Sequence, residues 1–464
     1  MSLMGRRLVV GTFTKYAMSH HYAGTWRLPE ATGNRGYADV ETWVEIAKTS
    51  EAAKLDFLMW ADDLGSGGYF DGDHEVPLRE GILNTMDPSV LAAALSRETS
   101  NLGFVVTSAM IQDHPFHFAR RMSTLDHITG GRIGWNVVTS AGPGMWRNFG
   151  LPDLSHTERY EWAEEYMDVL YKLWEGSWER DAPVHSPERN VWVDQEKVHL
   201  IDHVSKHYDI KGPHQVEPSP QGSPVIFQAG SSEEGTRFAG RHAEVQFIGG
   251  GNDPAYAGSY VRRVREAAEA AGRDPDEIIF APAMSFAIAD TETAAKAKWQ
   301  RYVDSVSVTG GIAKLNNLIG LDLSKMDRNI ALDELKTEGI QGVLDSLRRG
   351  FPPGYRPTIE EVVRYKEAQS IFVGTPQRIA DHIEELQEHG VHGLLVNCII
   401  RPASVQDFAD YVVPELQKRG IMQKEYQPGT MRQKIFGNGD LFPDHHPAAS
   451  YRPRTTSAAA SPRA

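Results

Sequence analysis

Cysteine is almost absent from this chain, since Cys398 is the only one among 464 residues. A single thiol excludes an intramolecular disulfide and any zinc site built from two or more thiolates. A secretory signal is also missing, because the apolar stretch after Arg6 and Arg7 extends only over residues 8–13. No apolar run approaches the ~18 residues that a membrane span needs. We therefore expect a cytoplasmic protein that does not enter a membrane.

Positive charge is in deficit: 48 Lys plus Arg stand against 62 Asp plus Glu, a formal net charge of −14. This balance disfavours binding to nucleic-acid phosphates.

Three motifs are missing as well. The absence of GxGxxG and of a P-loop weakens the interpretations as a Rossmann dehydrogenase and as an NTPase. The absence of a GxSxG elbow weakens that of a Ser-His-Asp hydrolase.

Short apolar runs alternate with amphipathic segments along most of the chain, as in a β/α protein. Strands are predicted over residues 8–13, 57–60, 102–110, 132–139, 224–229, 245–248, 278–289 and 393–400. Each is followed by a predicted helix, and eight such pairs indicate a (β/α)8 TIM barrel. A doubly wound sheet is the alternative, but it commonly has a Gly-rich turn after its first strand, which this chain lacks.

A TIM barrel needs roughly 250 residues, so the length of the chain leaves a surplus. We predict one barrel domain over residues 1–436, with insertions at about 63–87, 176–223 and 305–373. Residues 437–464 are rich in Gly, Pro, Ser and Ala. This composition predicts a flexible C-terminal tail.

Polar side chains follow the carboxyl ends of the predicted strands, where TIM-barrel sites lie. Asp62 follows the second strand, and Thr107 lies near the end of the third. Asn136 and Ser140 belong to the fourth strand and its end, and Ser231 follows the fifth. Hydroxyl and amide groups outnumber carboxylates here. The pattern favours a polar cofactor held by hydrogen bonds over hydrolysis by paired acids.

Two features point to a phosphate. The turn at 228–233 has small residues and opens a helix, whose free N–H groups favour an anion, although Ser232 in a simple N-cap explains it equally. His156 and Tyr160 share a face at the start of the helix predicted over 157–174, away from its apolar stripe. They are either solvent-exposed capping residues or ligands of a phosphate or ring.

Histidine spacing raises the question of a metal. His199, His203 and His207 are four residues apart, which would align them on a helix. The sequence around His199 is β-rich, and no carboxylate partner is evident. The pairs 114/117 and 445/446 are equally incomplete. We expect no metal site.

Several segments resemble one flavin monooxygenase family. They are residues 126–140 (DHITGGRIGWNVVTS), 156–166 (HTERYEWAEEY) and 225–232 (VIFQAGSS). They are similar to the nitrilotriacetate monooxygenase component A and dibenzothiophene-sulfone monooxygenase family, within the bacterial luciferase-like superfamily. The similarity extends in order from about residue 8 to 435. It implies a TIM barrel with insertions that uses reduced FMN from a separate NAD(P)H:flavin reductase, and we expect a homodimer or homotetramer.

The resemblance also implies site residues. Flavin contacts are expected at Asp62, Thr107, Asn136, Ser140, His156, Tyr160 and Ser231. Of these, Ser140, Tyr160 and Ser231 would bind the phosphate. His20 would face the flavin ring and is the candidate catalytic residue, either as a proton donor or as a group that only shapes the pocket.

The predicted function is a two-component monooxygenase that transfers one atom of O2 to a small organic substrate. Phe13, Trp60, Phe247 and Ile248 lie near strand ends, which favours an aromatic, heteroaromatic or sulfur-containing substrate. Two alternatives stay open. One is a deazaflavin-dependent oxidoreductase on the same barrel, and the other is a non-catalytic flavin-binding protein.

Overall fold

Eight parallel strands form a closed barrel in the computed structural model, which describes residues 6–18, 22–62, 64, 70–82, 85–140, 145–152, 154–319, 322–334, 351–352 and 354–453. The strands are β1 (Val9–Lys15), β2 (Phe57–Ala61), β3 (Gly103–Ala109), β4 (Ile133–Val138), β5 (Val225–Gln228), β6 (Val245–Ile248), β7 (Ile279–Ile288) and β8 (Gly393–Asn397). Each strand in this list pairs with the next. The last of these pairings joins β8 to the middle of β7, where Ala283 lies opposite Leu395. The barrel closes where Val9 of β1 pairs with Gly393 of β8. The predicted TIM barrel is confirmed.

Alternate residues of the strands fill the barrel interior. Its core contains Val9, Phe13, Phe57, Met59, Val105, Val225, Phe227, Val245, Ile279, Ala281 and Leu395. The intervening residues, such as Val10 and Leu58, pack outward against the helices. Burial on both faces explains why the strands read as nearly continuous apolar runs.

Helices surround the barrel. They are α1 (Val40–Ala52), α2 (Pro88–Leu95), α3 (Pro115–Thr129), α4 (His156–Tyr171), α5 (Glu233–His242), α6 (Pro254–Ala270), α7 (Glu292–Ser305), α8 (Val308–Ile319), α9 (Ile359–Gln369), α10 (Pro376–Glu388), α11 (Ala403–Asp407), α12 (Val413–Lys418) and α13 (Met431–Phe436). Short helices lie at Thr32–Arg35 and Glu75–Arg79. Ser155 and Glu158 form the capping box that their spacing predicts, and it fixes the start of α4. None of the helices in these described ranges is long and apolar enough to cross a membrane.

The insertions have structure of their own. Between α4 and β5 the chain forms a hairpin of Pro183–Ser186 with Val191–Val193. The insertion after α7 packs α8 against α9. The sequence of residues 305–372 shows no regular pattern and predicts an irregular segment, but this is wrong for α8, α9 and the last residues of the range. Strand Ile371–Gly374 pairs with the end of β7, which is long enough to extend beyond the barrel.

The C-terminal segment is ordered where it is described, unlike the expected flexible tail. The Phe442 and His446 rings are buried and stack with centroids 3.9 Å apart. Arg452 donates from Nε to Glu175 at 2.7 Å. Average composition predicted flexibility, but a few buried side chains tie residues 437–453 to the barrel. Residues 454–464 lie outside the described residues.

Helix α13 covers the amino-terminal end of the barrel. Met431 and Ile435 join the interior core. Arg432 donates to both oxygens of Glu244 at 2.7 and 2.9 Å, and both side chains are buried. This end is therefore sealed, and only the carboxyl end is left for a ligand.

Candidate functional site

A cavity of about 400 Å³ lies at the carboxyl ends of β2 to β5. Its lining includes six of the seven predicted flavin contacts: Asp62, Thr107, Ser140, His156, Tyr160 and Ser231. These residues are far apart in sequence. They meet because parallel strands place all their carboxyl ends at one edge of the barrel. Their contact with a flavin stays a prediction.

Asn136 lies directly behind this lining. Its Nδ2 donates to the Thr107 hydroxyl at 2.9 Å, across the β3–β4 pair. Its Oδ1 is buried and has no hydrogen-bond partner in the described part of the chain. A buried amide oxygen without a partner costs free energy, so this atom is suited to a ligand donor.

The turn from β5 into α5 forms one corner of the cavity. Ser232 caps the helix, and its hydroxyl accepts from the Gly235 N–H at 3.0 Å. Glycine is required at residue 230, because a Cβ there would lie 2.6 Å from the Tyr160 hydroxyl oxygen and 2.9 Å from the Gly235 Cα. Small residues thus let the tyrosine hydroxyl approach the start of α5, which favours an anion.

Tyr160 and His156 are adjacent on the first turns of α4, with ring centroids 5.1 Å apart. Tyr160 is buried, and burial raises the pKa of its hydroxyl, against hydrogen bonds to Ser232 and Thr139 that lower it. It is therefore a neutral hydrogen-bond donor at ordinary pH. His156 is partly exposed, and its Nδ1 lies 3.4 Å from Glu234 Oε2 on α5.

Ser140 follows the end of β4, and its backbone is left-handed, with φ 54°. Its carbonyl accepts from the indole N–H of Trp146 at 2.9 Å, and both residues are buried. Such strained non-glycine positions cluster at ligand sites. The indole bond holds the strained turn in place. Ser231, by contrast, is exposed at the cavity rim.

Two of the polar lining residues were not singled out from the sequence. Gln112 lies in the turn between β3 and α3, and Arg159 lies on α4 beside Tyr160. The signal for Arg159 was available, since it lies between two residues already singled out. Gln112 carried no comparable signal, because only the path of the turn directs its side chain to the cavity.

The remaining predictions from the sequence concern the candidate catalytic residue and the histidines considered as metal ligands. His20 lies outside the described residues. The three histidines of the 199–207 series do not share one partner: His199 contacts Glu179 at 3.0 Å, whereas His203 and His207 both contact Glu165, at 3.9 and 2.5 Å. In the described ranges, no three His, Cys, Asp or Glu side chains are grouped as a metal site would require.

Comparison with known proteins identifies relatives over nearly the whole chain. The family model described as luciferase-like monooxygenase matches residues 13–393. The dimethyl-sulfide monooxygenase of Hyphomicrobium sulfonivorans is 39% identical over 97% of this chain and 94% of its own. The crystal structure of DmoA from that organism has a TM-score of 0.90 and covers 96% of both chains.

Two further relatives differ in the molecules they are named for. Component A of nitrilotriacetate monooxygenase from Aminobacter aminovorans is 35% identical over 89% of this chain and 93% of its own. A riboflavin lyase crystallised with modified FMN and riboflavin is 36% identical, with a TM-score of 0.87 over 97% of this chain and all of its own. Similarity at this level fixes the family but not the substrate.

Proposed function

This chain belongs to the luciferase-like monooxygenase family, as the sequence motifs predicted, and we propose that it uses reduced FMN from a separate NAD(P)H:flavin reductase. The observation that carries the proposal is the single cavity that collects the hydroxyl, phenol and amide groups expected to bind the flavin. It lies at the only end of the barrel that α13 does not cover. A homodimer or homotetramer and a cytoplasmic location stay predictions.

The donor set fits a flavin mononucleotide. Tyr160, Ser231 and the N-terminus of α5 supply neutral donors where a phosphate would bind. The glycines at 230 and 235 let the Tyr160 hydroxyl approach this turn, because a Cβ at either would lie 2.6 or 2.8 Å from its oxygen. The unpaired Oδ1 of Asn136 suits an N–H of a flavin ring deeper in the barrel.

The chemistry that bound reduced FMN supplies is activation of O2, with one oxygen atom transferred to the substrate and the other released as water. The chain's residues bind and orient the reactants and exclude water. The rings of Phe13 and Phe247, with centroids 5.5 Å apart, form an apolar contact inside the barrel. His20 would hold or move a proton at the reacting oxygen, or only shape the pocket.

A small, largely uncharged organic substrate suits this cavity. Among its described lining residues, the basic ones are His156 and Arg159, both at the start of α4 beside the proposed phosphate position. A substrate with several carboxylates would need further cations. We therefore favour an apolar aromatic, heteroaromatic or sulfur-containing substrate.

The test is a substrate screen with purified protein, FMN, NADH and a generic flavin reductase under 18O2. Candidate substrates are a dialkyl sulfide, an alkane and an aryl sulfone, and the readout is product mass. Incorporation of one labelled oxygen atom supports the proposal. Substrate oxidation without O2 consumption would instead indicate a deazaflavin-type oxidoreductase, and tight binding of oxidised FMN with no substrate-dependent turnover would indicate a non-catalytic flavin protein.

A further inference from the structure

Gln112 is placed to act on the cavity through another residue. It lies in the turn that follows β3, where its backbone N–H donates to the Ala109 carbonyl at 3.0 Å. The turn directs the side chain back over the end of β3, where it joins the cavity lining. Its carboxamide then lies between β3 and Asp62, the residue that follows β2.

The orientation of this carboxamide is determined by its surroundings. Oε1 accepts from the Ser108 hydroxyl at 2.7 Å and from the Ala109 backbone N–H. Rotating the amide by half a turn would set its NH2 against the Ala109 N–H, donor against donor. The NH2 group must therefore point away from β3, and Nε2 lies 3.4 Å from Asp62 Oδ2.

The Asp62 carboxylate is held on both oxygens. Oδ1 accepts from the Thr85 hydroxyl at 3.3 Å, and Oδ2 accepts from Gln112. Both contacts are longer than typical hydrogen bonds, and a carboxylate oxygen can accept from more than one donor. Gln112 is therefore one of the groups that determine how this carboxylate is oriented in the cavity.

We propose that Gln112 is a positioning residue for flavin binding, which orients the Asp62 carboxylate in the cavity by donating from Nε2. This inference rests on the proposed function, because it takes Asp62 as a flavin contact. The acceptor half of the carboxamide anchors the side chain to β3, and the donor half acts on Asp62. The two halves are chemically separable.

Gln112→Glu separates them. A carboxylate keeps the acceptor for Ser108 and Ala109 but places a second negative oxygen against Asp62, where like charges repel. We expect FMN affinity, measured by quenching of flavin fluorescence, to fall about tenfold or more. Ser108→Ala is the matched control. It removes one anchoring bond, leaves the Asp62 contact, and should change affinity less than about threefold.

The decisive measurement is a double-mutant cycle with Asp62→Asn. An asparagine can donate to the new carboxylate, so Gln112→Glu should cost less than about threefold in that background. Equal losses in both backgrounds would mean that Gln112 only shapes the turn, and would overturn the inference. If Gln112→Glu lowers the unfolding midpoint enough to prevent titration, Gln112→Met enters the same cycle. Failure of the wild-type chain to bind FMN would overturn the proposed function instead.

Discussion

Gly230→Ala tests the anion corner of the cavity most directly. The new methyl group would lie 2.5 Å from Gln228 Nε2 and 2.6 Å from the Tyr160 hydroxyl oxygen, whereas ordinary contacts begin at 3.4 Å. Relieving the overlap takes a displacement of roughly 0.8 Å by the tyrosine or by the start of α5. The Gly235 Cα would lie 2.9 Å from the methyl group, and as a backbone atom it cannot move without shifting α5. Overpacking of this kind costs about 1–3 kcal/mol.

The cost should appear mainly in flavin binding, because the displaced groups are the proposed phosphate ligands. We expect FMN affinity to fall roughly 5- to 150-fold in a fluorescence titration, the equivalent of that free energy. Gly249→Ala is the matched control, since a Cβ at the end of the next strand would have no atom within 4 Å. Wild-type affinity in Gly230→Ala, with an unchanged urea midpoint, would refute the assignment of this corner to the phosphate.

Three further predictions concern charge. Arg432→Met should lower the free energy of unfolding in urea by about 3–5 kcal/mol, because Glu244 is left buried without its partner. Glu234→Gln should raise FMN affinity about two- to fivefold in the same titration, since it frees His156 and removes a negative charge beside the phosphate position. Burial lowers the pKa of His214 to about 4. The imidazole of His214 therefore binds a proton more tightly in the unfolded chain than in the folded chain. The free energy of unfolding should fall as the pH drops below 6.5, by ~2 kcal/mol at pH 5.

Each of these has a control. Adding Glu244→Gln to Arg432→Met should restore part of the lost stability, and no recovery would contradict a charge origin. Glu233→Gln removes a neighbouring charge from the same turn and should leave FMN affinity within about twofold. His214→Asn should flatten the fall in stability between pH 6.5 and 4, and an unchanged slope would assign the effect to other groups.

The barrel could be predicted from sequence because its strands are buried on both faces and separated by regular helices. The same topology predicted that Asp62, Thr107 and Ser140 would meet, since strand ends converge whatever the loops do. Gln112 could not be predicted, because its role depends on the path of one turn. Strand Ile371–Gly374 was missed for a similar reason: it pairs with an extension of β7 that no local pattern reveals.

The C-terminal segment shows the limit of composition as a guide. Gly, Pro, Ser and Ala dominate residues 437–464, but stability depends on the few side chains that are buried. The buried rings of Phe442 and His446, together with Arg452, tie the described part, to residue 453, to the barrel. A property averaged over a segment cannot report such contacts.

The pairing of β1 with β8 has a consequence for biosynthesis. The first strand leaves the ribosome early, but its second neighbour begins only at Gly393, and α13 follows at Met431. Until both emerge, nascent chains expose one edge of β1 and an uncovered barrel interior. Closure of the barrel therefore waits for the synthesis of β8 and α13, and holdase chaperones that shield an open sheet edge should raise the yield of this protein.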